Sequence, residues 1–165
     1  CGGLQLPEGG NAPSPLRDLS PLQGLPLDEL TCGLSSVSDL SPLKGVPLKH
    51  LSLSATLAAD LAPLQGMPLT HLYLCYTPVK DISPLRTLPL THLLCYRTKV
   101  TDLSPLKDTP LEVLRCDFDP SRDTDILRSM KTLQRINGLS VADFWKQVEA
   151  GKIPPPKTNM GKEPE

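Results

Sequence analysis

Aspartate recurs every 21 residues along most of this 165-residue chain. It does so six times without a gap, at Asp18, Asp39, Asp60, Asp81, Asp102 and Asp123. The first five open closely similar segments, from DLSPLQGLPL to DLSPLKDTPL. A fixed period of this length is typical of supersecondary units that stack on copies of themselves. The sequence therefore predicts an elongated array of repeats.

The second half of each unit carries leucine at strand spacing. Alternate residues of a strand point to opposite sides, so Leu51 and Leu53 face inward while Ser52 faces outward. Units stacked about 4.8 Å apart would share one leucine column and one parallel sheet. We predict one short strand in each unit, centred near Leu30, Leu51, Leu72, Leu93 and Leu114.

The DLSPL half of each unit must return the chain along the convex side. Serine followed by proline is typical of a helix start, because Ser accepts a backbone N–H and Pro needs no donor at the first helical position. We predict that short turns have N-caps at Ser20, Ser41, Ser83 and Ser104, and that they end with positive φ at Gly24, Gly45 and Gly66. The recurring aspartates are expected to bond backbone amides there.

The C-terminal end departs from the period and reads as a cap. Residues 121–131 predict a longer helix with Ser121 as its N-cap, and residues 133–137 predict a last short strand. Ser140 with Asp143 resembles a capping box. The helix that it opens has apolar residues at helical spacing, which we expect to cover the last repeat: Val141, Phe144, Trp145 and Val148.

These patterns divide the chain into four parts. We expect an irregular remnant of an earlier repeat at 1–17, the repeat domain at 18–138, a capping helix at 139–150 and a disordered tail at 151–165. Two interpretations of Cys1 stay open: the start of a fragment, or the lipidated cysteine of a lipoprotein.

The shared pattern LxxLxLxxTxV resembles the leucine-rich repeat signature, with Thr56, Thr77 and Thr98 where that family usually has Asn. The closing stretch resembles the C-terminal arrays of planctomycete bacterial polypeptides, several of which carry an upstream serine/threonine kinase domain. The resemblance implies an α/β fold: a right-handed solenoid with a short parallel concave sheet, convex helical turns and a helical cap. It also implies a role in recognition.

Composition and motifs argue against several function classes. The 17 basic and 18 acidic residues give a net charge of -1 and no basic stripe for nucleic acid. No apolar run approaches the roughly 20 residues of a membrane helix. The sequence has no GxGxxG, HRD or DFG motif and no arrangement of Ser, His and Asp suited to catalysis. We therefore expect no enzyme activity, cofactor, membrane or nucleic-acid partner for this chain.

All three histidines, His50, His71 and His92, occupy the same place in consecutive units, and we call them the histidine ladder. A metal site is one interpretation, because imidazole is a common metal ligand. The other, which we favour, is a polar side chain copied by repeat duplication, because rings stacked in one column do not converge on a point. We expect the ladder to titrate near neutral pH and to make binding sensitive between about pH 5.5 and 7.

Tyrosine and arginine, which are enriched at binding hot spots, cluster at outward positions of the predicted sheet. The candidate residues for binding a protein partner on the concave face are His50, Ser52, His71, Tyr73, Tyr76, His92, Leu94, Tyr96, Arg97 and Arg115. This predicts a monomeric, cytoplasmic protein-interaction module. The alternatives are a regulatory or substrate-recruiting C-terminal region of a bacterial serine/threonine kinase, and a structural spacer without a partner.

Cys32, Cys95 and Cys116 stand at an inward strand position, where other units have leucine. We expect them to be buried, as small hydrophobic side chains. Cys95 and Cys116 lie in adjacent units, so a disulfide is one interpretation and free thiols in a reducing cytoplasm are the other, which we favour. Structural zinc does not fit, because no CxxC pair is present.

Overall fold

The computed structural model describes residues 15–153, which form one array of stacked units. Strands β1 (Glu29–Thr31), β2 (His50–Ser52), β3 (His71–Tyr73), β4 (His92–Leu94) and β5 (Val113–Arg115) pair in parallel and in chain order. Their central leucines are at most 4% exposed. The prediction of one buried-leucine strand per unit is confirmed. Cys1, most of the predicted N-terminal remnant and most of the predicted tail lie outside the described residues.

Two further short strands extend the sheet at its C-terminal end. Strand β6 (Arg135–Ile136) pairs in parallel with β5, within the stretch predicted as the last strand. Strand β7 (Leu139–Ser140), which the sequence analysis missed, pairs antiparallel with β6. The chain reverses at Asn137 and Gly138, with φ values of 52° and 81°. An Asn-Gly pair with both φ values positive is typical of a two-residue hairpin turn, and was the missed signal.

The convex side consists of short 3₁₀ turns, one per unit, at Ser20–Leu22, Ser41–Leu43, Ala62–Leu64, Ser83–Leu85 and Ser104–Leu106. The prediction of serine N-caps is wrong, because each serine is already the first residue of its turn. The N-cap position is Leu40, which makes no side-chain cap bond, and the aspartate two residues before the serine bonds the backbone instead: Asp39 Oδ1 accepts the Ser41 N–H at 2.8 Å. Asp60 makes the same bond to Ala62, so the serine hydroxyl is not needed. The predicted positive φ of the three turn glycines, Gly24, Gly45 and Gly66, is confirmed.

Threonine closes the turn that leads from each strand to the convex side. The hydroxyls of Thr56, Thr77 and Thr98 donate to the carbonyl three residues earlier at 2.7, 2.6 and 2.7 Å. Thr77 is only 4% exposed, so its bond is shielded from water. A hydroxyl therefore satisfies a backbone carbonyl at the position where the resembling family usually has an asparagine.

Helices α1 (Pro120–Ser129) and α2 (Val141–Glu149) close the C-terminal end. The N-cap of α1 is Asp119 rather than the predicted Ser121, because the Asp119 carboxylate accepts the Ser121 N–H at 2.9 Å. The predicted start of α2 is confirmed, since the Ser140 hydroxyl accepts the Asp143 N–H at 3.1 Å. Neither helix in the described part of the chain is long and apolar enough to span a membrane.

The aromatic side chains of α2 cover the last repeat. The Phe144 ring meets the Phe118 ring edge to face at 5.0 Å, and the Trp145 ring lies 6.0 Å from Phe118. Phe144 is fully buried, and the Arg128 guanidinium lies 4.3 Å from the centre of the Trp145 ring. The predicted packing of this helix over the last repeat is confirmed.

The four described cysteines, Cys32, Cys75, Cys95 and Cys116, are buried free thiols. Burial raises the pKa of Cys32 to about 11 and raises that of Cys95 well above its usual value. A thiol held protonated is a poor nucleophile, so these side chains act as packing groups. The expected burial is confirmed, and the described structure holds no Cys95–Cys116 disulfide.

We expect Thr77→Val to lower the free energy of unfolding by about 1–3 kcal/mol, because it leaves the Leu74 carbonyl without its hydroxyl donor in a buried turn. Denaturant unfolding with an unchanged m-value measures the loss. The matched control is Thr87→Val at an exposed position, where the change should stay within about 0.5 kcal/mol. Equal effects of the two variants would contradict a structural role for the inner hydroxyl.

Phe144→Ala should cost about 3–5 kcal/mol, because it empties a fully buried aromatic site between α2 and Phe118. Lys146→Ala, on the exposed face of the same helix, is the control. Thermal and denaturant unfolding of both variants test the cap. If both variants match the unsubstituted chain, α2 does not stabilise the array.

Candidate binding face

The outward side chains of β2, β3 and β4 form two columns in register across the sheet. One column is the histidine ladder, and the other runs from Ser52 through Tyr73 to Leu94. We call these six residues the concave strip. All six are half-buried and none is Asp, Glu, Lys or Arg. Charge enters the same columns only at their ends, with Glu29 on β1, Arg115 on β5 and Arg135 on β6.

Two predicted contact residues lack the exposure that partner contact requires. Tyr96 is 2% exposed and Arg115 is 7% exposed. The Tyr96 ring packs edge to face against Tyr76 at 5.6 Å. Burial, reinforced by the neighbouring Cys75, raises the pKa of Tyr96 to about 12. The expectation that these two side chains are exposed is therefore wrong. Adjacent units cover them, and they pack beneath the concave surface.

A row of left-handed residues borders the concave strip, just beyond the strands. Leu34, Ala55, Tyr76 and Arg97 have φ values of 55°, 56°, 60° and 57°. This conformation costs roughly 1–2 kcal/mol for a non-glycine residue. It is held by cross-unit bonds, such as that of the Ala55 N–H to the Cys75 carbonyl at 2.7 Å. In the last of the four, Asp117 Oδ2 accepts the Arg97 N–H at 2.6 Å in place of a carbonyl.

This row exposes apolar surface beside the strip. Leu34 and Tyr76 are each 43% exposed, and Leu57 on the same flank is 60% exposed. The sequence analysis selected Tyr76 and Arg97 but missed Leu34 and Leu57. The period itself was the available signal, because Leu34 lies 42 residues, or two whole units, before Tyr76.

Each ring of the histidine ladder has a different environment. His50 Nδ1 lies 2.8 Å from Glu29 Oε1. The Nδ1 atoms of His71 and His92 lie 2.9 and 3.0 Å from the hydroxyls of the residues before them, Thr70 and Thr91. The rings of His50 and His71 meet at 4.3 Å with planes 63° apart, whereas those of His71 and His92 stack at 4.2 Å with planes 10° apart.

The central histidine does not titrate near neutral pH. Burial, together with charge on His92 and His50, lowers the pKa of His71 to about 4, and Glu29 partly opposes the shift. The expectation of a near-neutral titration is therefore wrong for His71. Within residues 15–153, no group of three His, Cys, Asp or Glu side chains is placed to hold a metal ion.

Two solved structures share this architecture. An internalin C2 from Listeria monocytogenes is 33% identical with a TM-score of 0.57, over 61% of this chain and 46% of that one. An internalin F from the same species is 29% identical with a TM-score of 0.64, over 73% of this chain and 37% of that one. The chain thus spans less than half the length of either structure. No family model and no curated protein matches it.

The stacked parallel strands, the convex 3₁₀ turns and these neighbours define the class of protein. The chain has the leucine-rich repeat solenoid fold with a helical C-terminal cap, as predicted. Its likeness to the internalins is a likeness of fold and of about a third of the aligned residues.

The lowered pKa of His71 predicts a pH-dependent stability. The unfolded chain binds a proton on this residue below about pH 6.5, whereas the folded chain binds it only below about pH 4. Stability should therefore fall as the pH decreases from about 6.5 to 4, by less than about 1.4 kcal/mol per pH unit because the ring is partly open to solvent.

The measurement is the free energy of unfolding of the unsubstituted chain and of His71→Gln between pH 7 and 4. Carboxylates titrate in both proteins, so the difference between the two curves isolates His71. We expect the variant to gain stability relative to the unsubstituted chain as the pH falls. Parallel curves would mean that His71 is not desolvated.

Proposed function

We propose that the chain is a non-catalytic protein-interaction module that binds a protein partner through the concave strip and the adjoining Tyr76 and Arg97. The observation that carries this proposal is the absence of ionisable Asp, Glu, Lys and Arg side chains from the strip, combined with its aromatic and aliphatic centre at Tyr73 and Leu94. The centres of protein interfaces are depleted in charge and enriched in aromatic residues. Glu29 and Arg135, at the two ends of the histidine column, are exposed charged residues of the kind found at interface rims.

The exposed flank extends the same surface. Tyr76 and Leu34 stand at 43% exposure beside the strip, in a backbone conformation that costs free energy at each non-glycine position. Exposed apolar side chains scattered singly are ordinary, but a row aligned by the repeat forms a contiguous surface. An interaction role for the leucine-rich repeat fold agrees with the internalin neighbours.

Tyr73→Ala should weaken the partner complex by about thirtyfold or more, since removing an aromatic side chain from an interface centre commonly costs 2 kcal/mol or more. Leu94→Ala should act in the same direction. The partner is first identified by pull-down with the full chain, and its affinities are then measured by calorimetry. The matched control is Lys44→Ala on the exposed convex side. Equal affinities of the three variants would show that the concave strip is not the site.

The cellular compartment and an association with a kinase are two further proposals. The free buried thiols favour a reducing compartment such as the cytoplasm. A role as the regulatory or recruiting region of a serine/threonine kinase would use the same surface. Coding sequence upstream of Cys1, read for a glycine-rich loop with HRD and DFG motifs, decides between that role and an independent module.

A further inference from the structure

The most specific chemistry on the concave strip lies in two threonine–histidine pairs on adjacent strands. His71 and His92 pair in register, and their rings stack at 4.2 Å with nearly parallel planes. Each Nδ1 faces the hydroxyl of the preceding threonine, at 2.9 Å for Thr70 and 3.0 Å for Thr91. The two pairs are therefore copies of each other, displaced by one unit.

The hydrogen bonds around each threonine indicate which nitrogen of the neighbouring imidazole carries the hydrogen. The Lys49 carbonyl accepts the backbone N–H groups of Thr70 and His71 at 2.8 and 3.0 Å. Both of its lone pairs are thereby used, and the Thr70 hydroxyl is a more distant third donor at 3.2 Å. The Thr70 carbonyl is occupied in the same way by the N–H groups of Thr91 and His92.

Each threonine hydroxyl has one proton, and the better acceptor within reach is the imidazole Nδ1. A neutral ring that accepts at Nδ1 carries its own hydrogen on Nε2. The two Nε2–H groups then point the same way, separated by about the ring spacing of 4.2 Å. Among the described residues, neither Nε2 has a hydrogen-bond partner, and neither is an enclosed polar atom.

Two parallel N–H donors, on a strip that contains no Asp, Glu, Lys or Arg, match the two oxygens of a carboxylate. Each carboxylate oxygen can accept from one ring at the usual length of about 2.7–2.9 Å for a charge-assisted bond. A metal ion does not fit, because the parallel rings do not converge on one point. At neutral pH His71 is a neutral donor, since its pKa lies near 4.

The rest of the column supports this match. At its N-terminal end a carboxylate already contacts an imidazole, Glu29 against His50 at 2.8 Å. At its C-terminal end, beyond Val113, Arg135 supplies positive charge. A carboxylate at His71 and His92 would therefore lie between the Glu29–His50 pair and Arg135.

We propose that His71 and His92 form a carboxylate-binding site that takes the Asp or Glu side chain of an acidic segment of the protein partner. The proposal rests on the proposed function for its ligand source, because it assumes that a protein docks on the concave strip. Thr70 and Thr91 are positioning residues, since they fix the ring hydrogens without touching the ligand.

The test uses the full chain with ¹⁵N-labelled histidine at pH 7 and the probe peptide acetyl-Gly-Glu-Gly-amide. Before ligand is added, long-range ¹H–¹⁵N correlation should show His71 and His92 with the hydrogen on Nε2. The peptide should shift both Nε2 resonances saturably, and the Gln peptide, its neutral isostere, should not. His92→Gln should weaken peptide binding at least tenfold, whereas Lys44→Ala, on the exposed convex side, should leave it within twofold.

Several results would overturn the site. These are hydrogen on Nδ1 of either ring, equal shifts with the Glu and Gln peptides, or unchanged binding by His92→Gln. Thr91→Val should move the His92 hydrogen to a mixture of both nitrogens with circular dichroism unchanged, and an unaltered tautomer would remove the positioning role. A peptide whose only carboxylate is its C-terminus, if it alone shifts the rings, contradicts an acidic side chain as the ligand.

Failure of this site and failure of the proposed function give different results. If Tyr73→Ala weakens the partner complex but the Glu peptide gives no shift, the concave strip binds protein without a carboxylate contact. If the Glu peptide binds and Tyr73→Ala leaves the partner affinity unchanged, the site stands as a small-ligand site and the docking surface lies elsewhere.

Discussion

The structure depends on hydrogen bonds between equal places in successive units, because no single unit can satisfy its own strand. The Leu53 N–H donates to the Tyr73 carbonyl and the Leu74 N–H to the Leu94 carbonyl, one unit further on in each case. The same register brings the central leucines together in one column. Backbone pairing and apolar burial are thus a single constraint, which fixes the inward positions and leaves only outward positions free to vary.

Where the repeat ends, side chains replace the missing backbone partners. Asp117 Oδ2 receives the Arg97 N–H, and Asn137 Oδ1 receives the Cys116 N–H at 2.9 Å. In earlier units these amides bond to carbonyls of the next unit. Asp123 also keeps the 21-residue spacing but takes a different role, since it accepts the Asp119 N–H and pairs with Arg122 inside the first turn of α1. The cap therefore begins with helix α1, where the 21-residue spacing continues in the sequence at Asp123 but the repeat structure has given way to a helix.

The period was enough to predict the strands, their parallel order, the buried leucines and the covering helix. The period did not predict local hydrogen bonds for which two donors or acceptors compete. Serine before proline resembled a cap, but Leu40 holds the N-cap position and Asp39 accepts the N–H of Ser41 itself. The outward columns were also predicted, yet the exposure of Tyr96 was not, because it depends on Tyr76 folding over it in a left-handed conformation that a tyrosine seldom adopts.

The three residues of the histidine ladder occupy equivalent positions in the repeat but have different chemical environments. Three identical residues at one repeat position meet three different neighbours: a carboxylate at His50, a histidine ring on either side of His71, and a valine beyond His92. Desolvation and the neighbouring histidines lower the pKa of the ring in the middle, while the ring at the end pairs with an acid. Recognition by such a face therefore depends on the residues at the ends of each column as much as on the repeated residue. Within the strip the three histidines lie side by side, and fixed charge stands at the two ends of their column, at Glu29 and Arg135.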